Sequence, residues 1–336
     1  MPRIDNRSTY RGAVTMNRNA LLMSLMLAAA GAGLAQAQSY PVKPVRMIVA
    51  SSPGGGSDIL GRLLAQRLTE LLGQQVVVEN RAGASGIIGV DVVAKSPPDG
   101  YTLIITQTSL AINPSMIKDM PYDALRDLAP ISELVAAPNV LVVHPSVPVK
   151  SVKEFIALAK SKPGRLVIAS PGQGTSPHLS GELFKVMAKV DLEQVPFKGS
   201  GLGMISLIAG EVSVAFPTTP TVMPYLKNNR LRPLGVTSAK RAQVLPDVPT
   251  IAEAALPGYE STQWYGVLAP AGTPRAVIDT LYKAISRVLR VPDMLERLAA
   301  DGAEVVDGTP EVFAAHLKSE SEKWARVIKA AGIKPE

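Results

Sequence analysis

The 336-residue chain contains no cysteine. That removes disulfides, thiolate metal sites and a cysteine nucleophile together, and it leaves no residue for a lipid anchor after export. There are only three histidines, His144, His178 and His316, and their separations match no metal-ligand spacing. No metal and no cofactor is therefore expected. Aromatic residues make up 4% of the chain. The basic residues are scattered and not interleaved with aromatics, so nucleic acid is not an expected partner. The chain lacks a P-loop ending in Gly-Lys-Ser/Thr, a G-x-G-x-x-G fingerprint and a G-x-S-x-G elbow. Paired carboxylates placed for acid–base work are missing as well. Asp58, Ser170 and His178 would supply the residue types of a hydrolase triad, but Ser170 lies in a Ser-Pro-Gly loop without the sharp turn such a nucleophile needs. No catalytic residue is assigned, and binding is favoured over catalysis.

Long apolar runs are also scarce, with one informative exception. Residues 16–37 combine a basic start at Arg18, an apolar run from Ala20 to Leu34, and the small-residue pattern Ala35-Gln36-Ala37. This is the layout of a secretory signal peptide. The run is shorter than the ~20 residues that span a bilayer and is interrupted by Gly31 and Gly33. Residues 1–37 are thus expected to be a signal peptide with an upstream extension, cleaved after Ala37. The mature chain is expected to be a soluble periplasmic monomer. The formal charge is +7, from 35 basic and 28 acidic residues. The leader holds Arg3, Arg7, Arg11 and Arg18 against Asp5, so the mature chain stays mildly positive, a field that gathers anions.

Beyond the leader, strand-like and helical patterns alternate. Val45–Ala50, Val76–Glu79 and Leu103–Thr106 read as strands, separated by helices over Asp58–Leu72 and Gly86–Ala94. A parallel sheet with helices on both faces is expected from this order. A second α/β unit follows, with strands at Val140–Val143, Leu166–Ser170, Glu193–Pro196, Val212–Phe216 and Leu231–Thr237. In the last third, Thr273-Pro274 and Thr309-Pro310 each read as an N-cap followed by proline at the first helical position. The helices they open need a surface, and the first unit can supply it. The expected organisation is a discontinuous domain 1 of residues 38–138 plus 243–336 and a continuous domain 2 of residues 139–242. Two crossings between them suit hinge closure on a ligand.

In open α/β sheets ligands bind beyond the carboxyl ends of the strands. Five loops lie there. Ser52, Gly54, Gly55, Gly56, Ser57 and Asp58 join a strand to a helix start, where free N–H groups and the helix dipole favour an anion. The alternative is a tight turn in which Asp58 only caps the helix. Ser170, Gly174, Thr175 and His178 occupy the corresponding place in the second unit. His178 either donates to a carboxylate as a neutral ring or braces its loop. Lys198 and Gly199 form a third loop, with Lys198 on the ligand or at a solvated rim. Thr106, Thr108 and Thr218 add hydroxyls.

Several short motifs occur in a fixed order: Pro53-Gly54-Gly55-x-x-Asp58, Val77-Val78-Glu79-Asn80-Arg81, Pro98-Asp99-Gly100-Tyr101-Thr102-Leu103, Gly174-Thr175-x-x-His178-Leu179, Leu245-Pro246-Asp247-Val248-Pro249-Thr250 and Ala269-Pro270-Ala271-Gly272-Thr273-Pro274. In this order they resemble the Bug family of periplasmic solute receptors, which serve tripartite tricarboxylate transporters. The resemblance spans about Tyr40 to Ile333. It implies a two-domain α/β periplasmic-binding-protein fold of the Venus-flytrap, type II-like kind with a hinge. It also implies a small carboxylate ligand (an amino acid, di- or tricarboxylate, or aromatic acid) held largely by backbone N–H groups and waters. The implied partners are the integral-membrane permease subunits of such a transporter. Rival readings are a ligand-sensing receptor for a membrane signalling partner and a hydrolase on the same scaffold.

Overall fold

A computed structural model describes residues 40–335 apart from Ser52, Gly55, Lys198 and Asp301. The expected signal peptide lies outside the described residues. The chain divides into Met1–Val42 and a unit of Lys43–Glu336, and the second contains every assigned strand and helix.

The strands are β1 (Val45–Val49), β2 (Val76–Asn80), β3 (Thr102–Gln107), β4 (Leu128–Pro138), β5 (Val140–Val143), β6 (Val167–Ser170), β7 (Glu193–Pro196), β8 (Val214–Ala215), β9 (Arg232–Val236), β10 (Thr262–Pro270) and β11 (Glu304–Gly308). The helices are α1 (Gly56–Leu72), α2 (Ile87–Ala94), α3 (Ser109–Met116), α4 (Val152–Ser161), α5 (Ser176–Ala188), α6 (Ser200–Ala209), α7 (Thr219–Lys227), α8 (Ile251–Ala254), α9 (Arg275–Leu289), α10 (Pro292–Ala300) and α11 (Pro310–Ala330). They build two sheets, one of six strands in the order β11-β4-β10-β3-β1-β2 and one of five in the order β7-β6-β8-β5-β9.

Each sheet is mixed, which corrects the expectation of parallel sheets. β2, β1 and β3 run parallel, as do β7, β6 and β8. β10 and β4 join the first sheet antiparallel, with β11 beyond them, and β5 and β9 extend the second sheet antiparallel. The parallel strands are linked by helical crossovers. β4, by contrast, passes through Asn139 directly into β5, leaving one sheet for the other. The return segment starts after β9. The two passages are tied to each other: Asn139 N–H donates to Thr237 Oγ1 at 2.8 Å, and Thr237 N–H donates to Asn139 O at 2.9 Å. The Asn139 side-chain amide also donates to Ser176 Oγ and Ser180 Oγ at the start of α5.

Buried Val45, Met47, Ile48 and Val49 show why β1 takes a central position, covered on both faces. The apolar face of α1 is carried by Leu60, Leu64 and Leu68. The long α11 lays Phe313, Leu317 and Trp324 onto the first sheet. Phe313 meets Trp264 edge-on at 5.4 Å between ring centroids. Gly266 makes this possible, because a Cβ there would collide with the Phe313 ring. In the second sheet's core Phe184 stands 5.7 Å from both Phe155 and Phe216. Thr309 caps α11 as expected, its Oγ1 accepting from Val312 N–H with Pro310 at the first position. Thr273 does not cap α9. The helix starts at Arg275 after Pro274, and the Thr273 hydroxyl donates instead to Pro270 O at 2.8 Å. A proline at N-cap offers no side-chain acceptor.

Candidate ligand-binding cleft

Helix starts define the site. Gly56 opens α1, Ser109 opens α3, Ser176 opens α5 and Ser200 opens α6, while Thr218 is the N-cap of α7. All five residues line one cleft of about 440 Å³. The first four N–H groups of a helix have no partner within it, and the peptide dipoles place partial positive charge at that end. The starts of five helices therefore border one space, with Pro177 and Pro220 contributing no N–H and the His178 and Thr221 N–H groups already accepted by Thr175 Oγ1 and Thr218 O. Among the described residues lining it, none has a charged side chain. The remaining polar groups are the amides of Gln107 and Gln263 and the hydroxyls of Ser85, Thr175, Thr221 and Tyr265. Burial pushes the Tyr265 phenol up to about 12, a hydrogen bond with Gln263 partly opposing it, so the phenol is a neutral donor at physiological pH. Gly56 has no Cβ where one would strike Tyr265 Oη, which lets the start of α1 and this phenol approach closely.

The sequence-derived residues divide. Gly56, Gly174, Thr175, Gly199 and Thr218 line the cleft. Gly174 and Gly199 have φ of +68° and +97°, a region that side chains with a Cβ resist. Ser52, Gly55 and Lys198 lie outside the described residues. Asp58 is turned to internal work: it accepts from Gly54 N–H at 2.9 Å, from Asn80 Nδ2 at 2.8 Å and from Arg62 Nε at 3.1 Å. Burial works against its charge, but these donors outweigh it and hold the carboxyl below its ordinary range. Asp58 thus fastens the loop from Gly54 to the end of β2. Ser57 donates to Gln107 Oε1 at 3.3 Å. Thr108 Oγ1 accepts from Trp264 N–H at 2.9 Å, tying β3 to β10. Thr106 is buried beside it. Ser170 and His178 face a small separate pocket with Gln173 and Gln194. Burial lowers the His178 pKa, with Glu182 opposing and Lys185 adding to the shift, so the ring is neutral.

Sequence reasoning passed over Ser85, Gln263 and Tyr265. Ser85 sits in a turn whose backbone is unusual: Gly83, Ala84, Ser85 and Gly86 all have positive φ. Its carbonyl accepts from Asn113 Nδ2 at 3.1 Å. A Gly-x-x-Gly segment after a strand was the available signal, since non-glycine residues at positive φ cluster at functional positions. Gln263 and Tyr265 come from β10, a strand that takes its place by pairing with β3 and β4, more than a hundred residues away.

Two α/β sheets joined by a double passage, with helix starts around a cleft, are the architecture of periplasmic solute-binding proteins. The chain belongs to the tripartite tricarboxylate transporter family receptors, whose family model matches residues 60–333. It is 37% identical over 324 residues to Protein BugT of Bordetella pertussis, covering 95% of this chain and 99% of that one. It is similar to the structure of R. palustris Rpa4515 with adipate, at TM-score 0.78 and 38% identity over 88% of this chain and 100% of the other. It also resembles MatC of Rhodopseudomonas palustris with bound malate, at TM-score 0.74 and 31% identity over 86% of this chain and 100% of the other. Solute receptors of this kind are periplasmic binding proteins.

Proposed function

We propose that this receptor captures a small carboxylate by closing residues 38–138 plus 243–336 onto residues 139–242, and presents it to the integral-membrane permease subunits of a tripartite transporter. The observation that carries the reading is the convergence of five helix N-termini on one cleft without a charged side chain among its described lining residues. Such a surface solvates an anion through fixed N–H dipoles, without a cation that would have to be desolvated. Gly56, Gly174 and Gly199 provide close backbone approach and Thr218 a hydroxyl, while Thr175 holds the start of α5 in place as its N-cap. Bridging waters would complete the shell, and such contacts are nearly as favourable as direct ones. The Asn139–Thr237 tie is the natural pivot, because both passages meet there. The adipate and malate of the two similar receptors are both dicarboxylates, in keeping with this ligand class. Residues 1–37 act as the export signal, and the mature protein works as a non-enzymatic monomer.

Native mass spectrometry of protein purified from the periplasm without refolding tests the reading. One small organic acid per chain is expected, replaceable by excess adipate or malate and recovered chemically unchanged. A ligand that is cationic or neutral, or that is recovered as a reaction product, would refute it.

A further inference from the structure

The cleft does not stop at its polar walls. Beside it lies a second space of about 120 Å³, and the two share Gly56, Ile59, Thr218, Pro220 and Tyr265 as a common wall. The character of the lining changes across that wall. Leu60, Leu63, Val135, Ala137, Leu298 and Ala303 line the far side. These are aliphatic side chains from α1, β4 and α10 and from the loop before β11. Arg297 is the one charged residue among the described lining residues, and it is exposed.

Two features show that this annex is not ordinary core packing. Ile59 is 47% exposed although it stands in the first turn of α1, on the wall between the two spaces. The protein thus leaves a branched apolar side chain uncovered where the cleft and the annex meet. The floor is also held in place from the opposite side. Thr219, at the start of α7, donates its hydroxyl to Gly302 O at 3.0 Å. Gly302 is fitted to it, since a Cβ there would fall 2.8 Å from the Thr219 side chain. The loop carrying Ala303 is therefore latched to the helix start that carries Thr218 and Pro220.

We infer that the annex is a subsite for the apolar body of the ligand, so that the receptor's preferred substrates are carboxylates bearing an aliphatic chain or an aryl group. This rests on the carboxylate reading of the cleft and narrows it. The carboxylate stays among the helix N-termini, and the hydrocarbon crosses the Ile59–Tyr265 wall to cover Leu60, Leu63 and Leu298. A short hydroxy-dicarboxylate would leave most of the annex unfilled, because a polar end placed there would meet aliphatic carbon everywhere except at the exposed Arg297.

Calorimetric titration of ligand-free protein with butyrate, hexanoate, octanoate, phenylacetate and malate tests this. Affinity should rise about threefold to fourfold per added methylene until the annex is filled, the gain expected for moving each CH₂ out of water. Phenylacetate should bind more tightly than butyrate. Ala303→Leu, which fills the annex from its floor, should abolish the chain-length gain while leaving butyrate binding within twofold, with thermal melts verifying its fold. If that variant misfolds, Leu63→Ser, from a half-buried position, should reduce the gain in the same way. A flat or falling series in which malate binds best overturns the annex and leaves the carboxylate reading standing. Failure of every carboxylate to bind overturns both.

Discussion

Gly56→Ala is the sharpest perturbation of the cleft. The added methyl would collide with Tyr265 Oη and lie 3.0 Å from Cζ of the same ring, so the phenol must move. Overpacking of this kind costs about 1–3 kcal/mol. It is offset by up to about 1 kcal/mol because alanine is the better helix former. A net loss of about 1–2 kcal/mol is expected, lowering the melting temperature by a few degrees. Binding should suffer separately, because the displaced phenol is one of the neutral donors lining the proposed ligand cleft. Loss of one hydrogen bond to a charged acceptor is worth about 1.5–3 kcal/mol, or roughly 10- to 150-fold in Kd. A double-mutant cycle with Tyr265→Phe isolates the cause. Without Oη, the same alanine should cost clearly less stability, and the two affinity losses should not add. Calorimetry and thermal melts on the four proteins give both readouts. Additive effects, or a Gly56→Ala protein that binds normally, would refute the geometry of this wall.

Thr175 spends its hydroxyl within the protein, donating to Gly172 O at 2.8 Å and accepting from His178 N–H at 3.4 Å. Thr175→Ala should therefore cost about 1 kcal/mol of stability as a lost N-cap, visible in chemical denaturation, whereas retention of full stability would show the cap to be idle. The two buried-side histidines should pull stability in opposite directions with pH. His178 has a lowered folded pKa, so acidification below the unfolded value of about 6.5 favours unfolding; His178→Asn should flatten the acid limb of the stability profile. His316 has a raised folded pKa: burial opposes the shift, but the hydrogen bond and charge of Glu133 prevail. Its contribution is present below about 6.5 and is lost as pH climbs through the folded value. His316→Gln should thus lose stability at pH 5 and little at pH 9, and an equal loss at both would contradict the Glu133 pairing.

Much of the scaffold is legible in the sequence because local signals agree with it. The apolar spacing through Leu60, Leu64 and Leu68, the Thr309-Pro310 start and the Ser151 cap accepting from Glu154 N–H are all decided within a few residues. What escapes reading is what distant contacts decide. β4 is an eleven-residue strand interrupted by prolines at both ends, and its sheet position depends on pairing with β10, more than a hundred residues away. α3 carries Pro114 within it, a residue that breaks the helical pattern in sequence. The short β11 pairs irregularly at an edge. The site follows the same division. Glycine-rich helix starts announce Gly56, Gly174 and Gly199, but a lone serine or glutamine carries no comparable mark. Asp58 and Thr108 are indistinguishable from ligand contacts in sequence, because side chains that brace a site are drawn from the same residue types as those that touch the ligand.

A crystal structure of the receptor with its bound acid decides whether the helix starts hold the ligand. Carboxylate oxygens are expected within about 3 Å of backbone N–H groups, or of waters held by them, at the starts of α1, α5 and α6, with the ligand enclosed between the two sheets. A carboxylate held outside this cleft by arginine or lysine side chains, with these helix starts left to solvent, would contradict this arrangement.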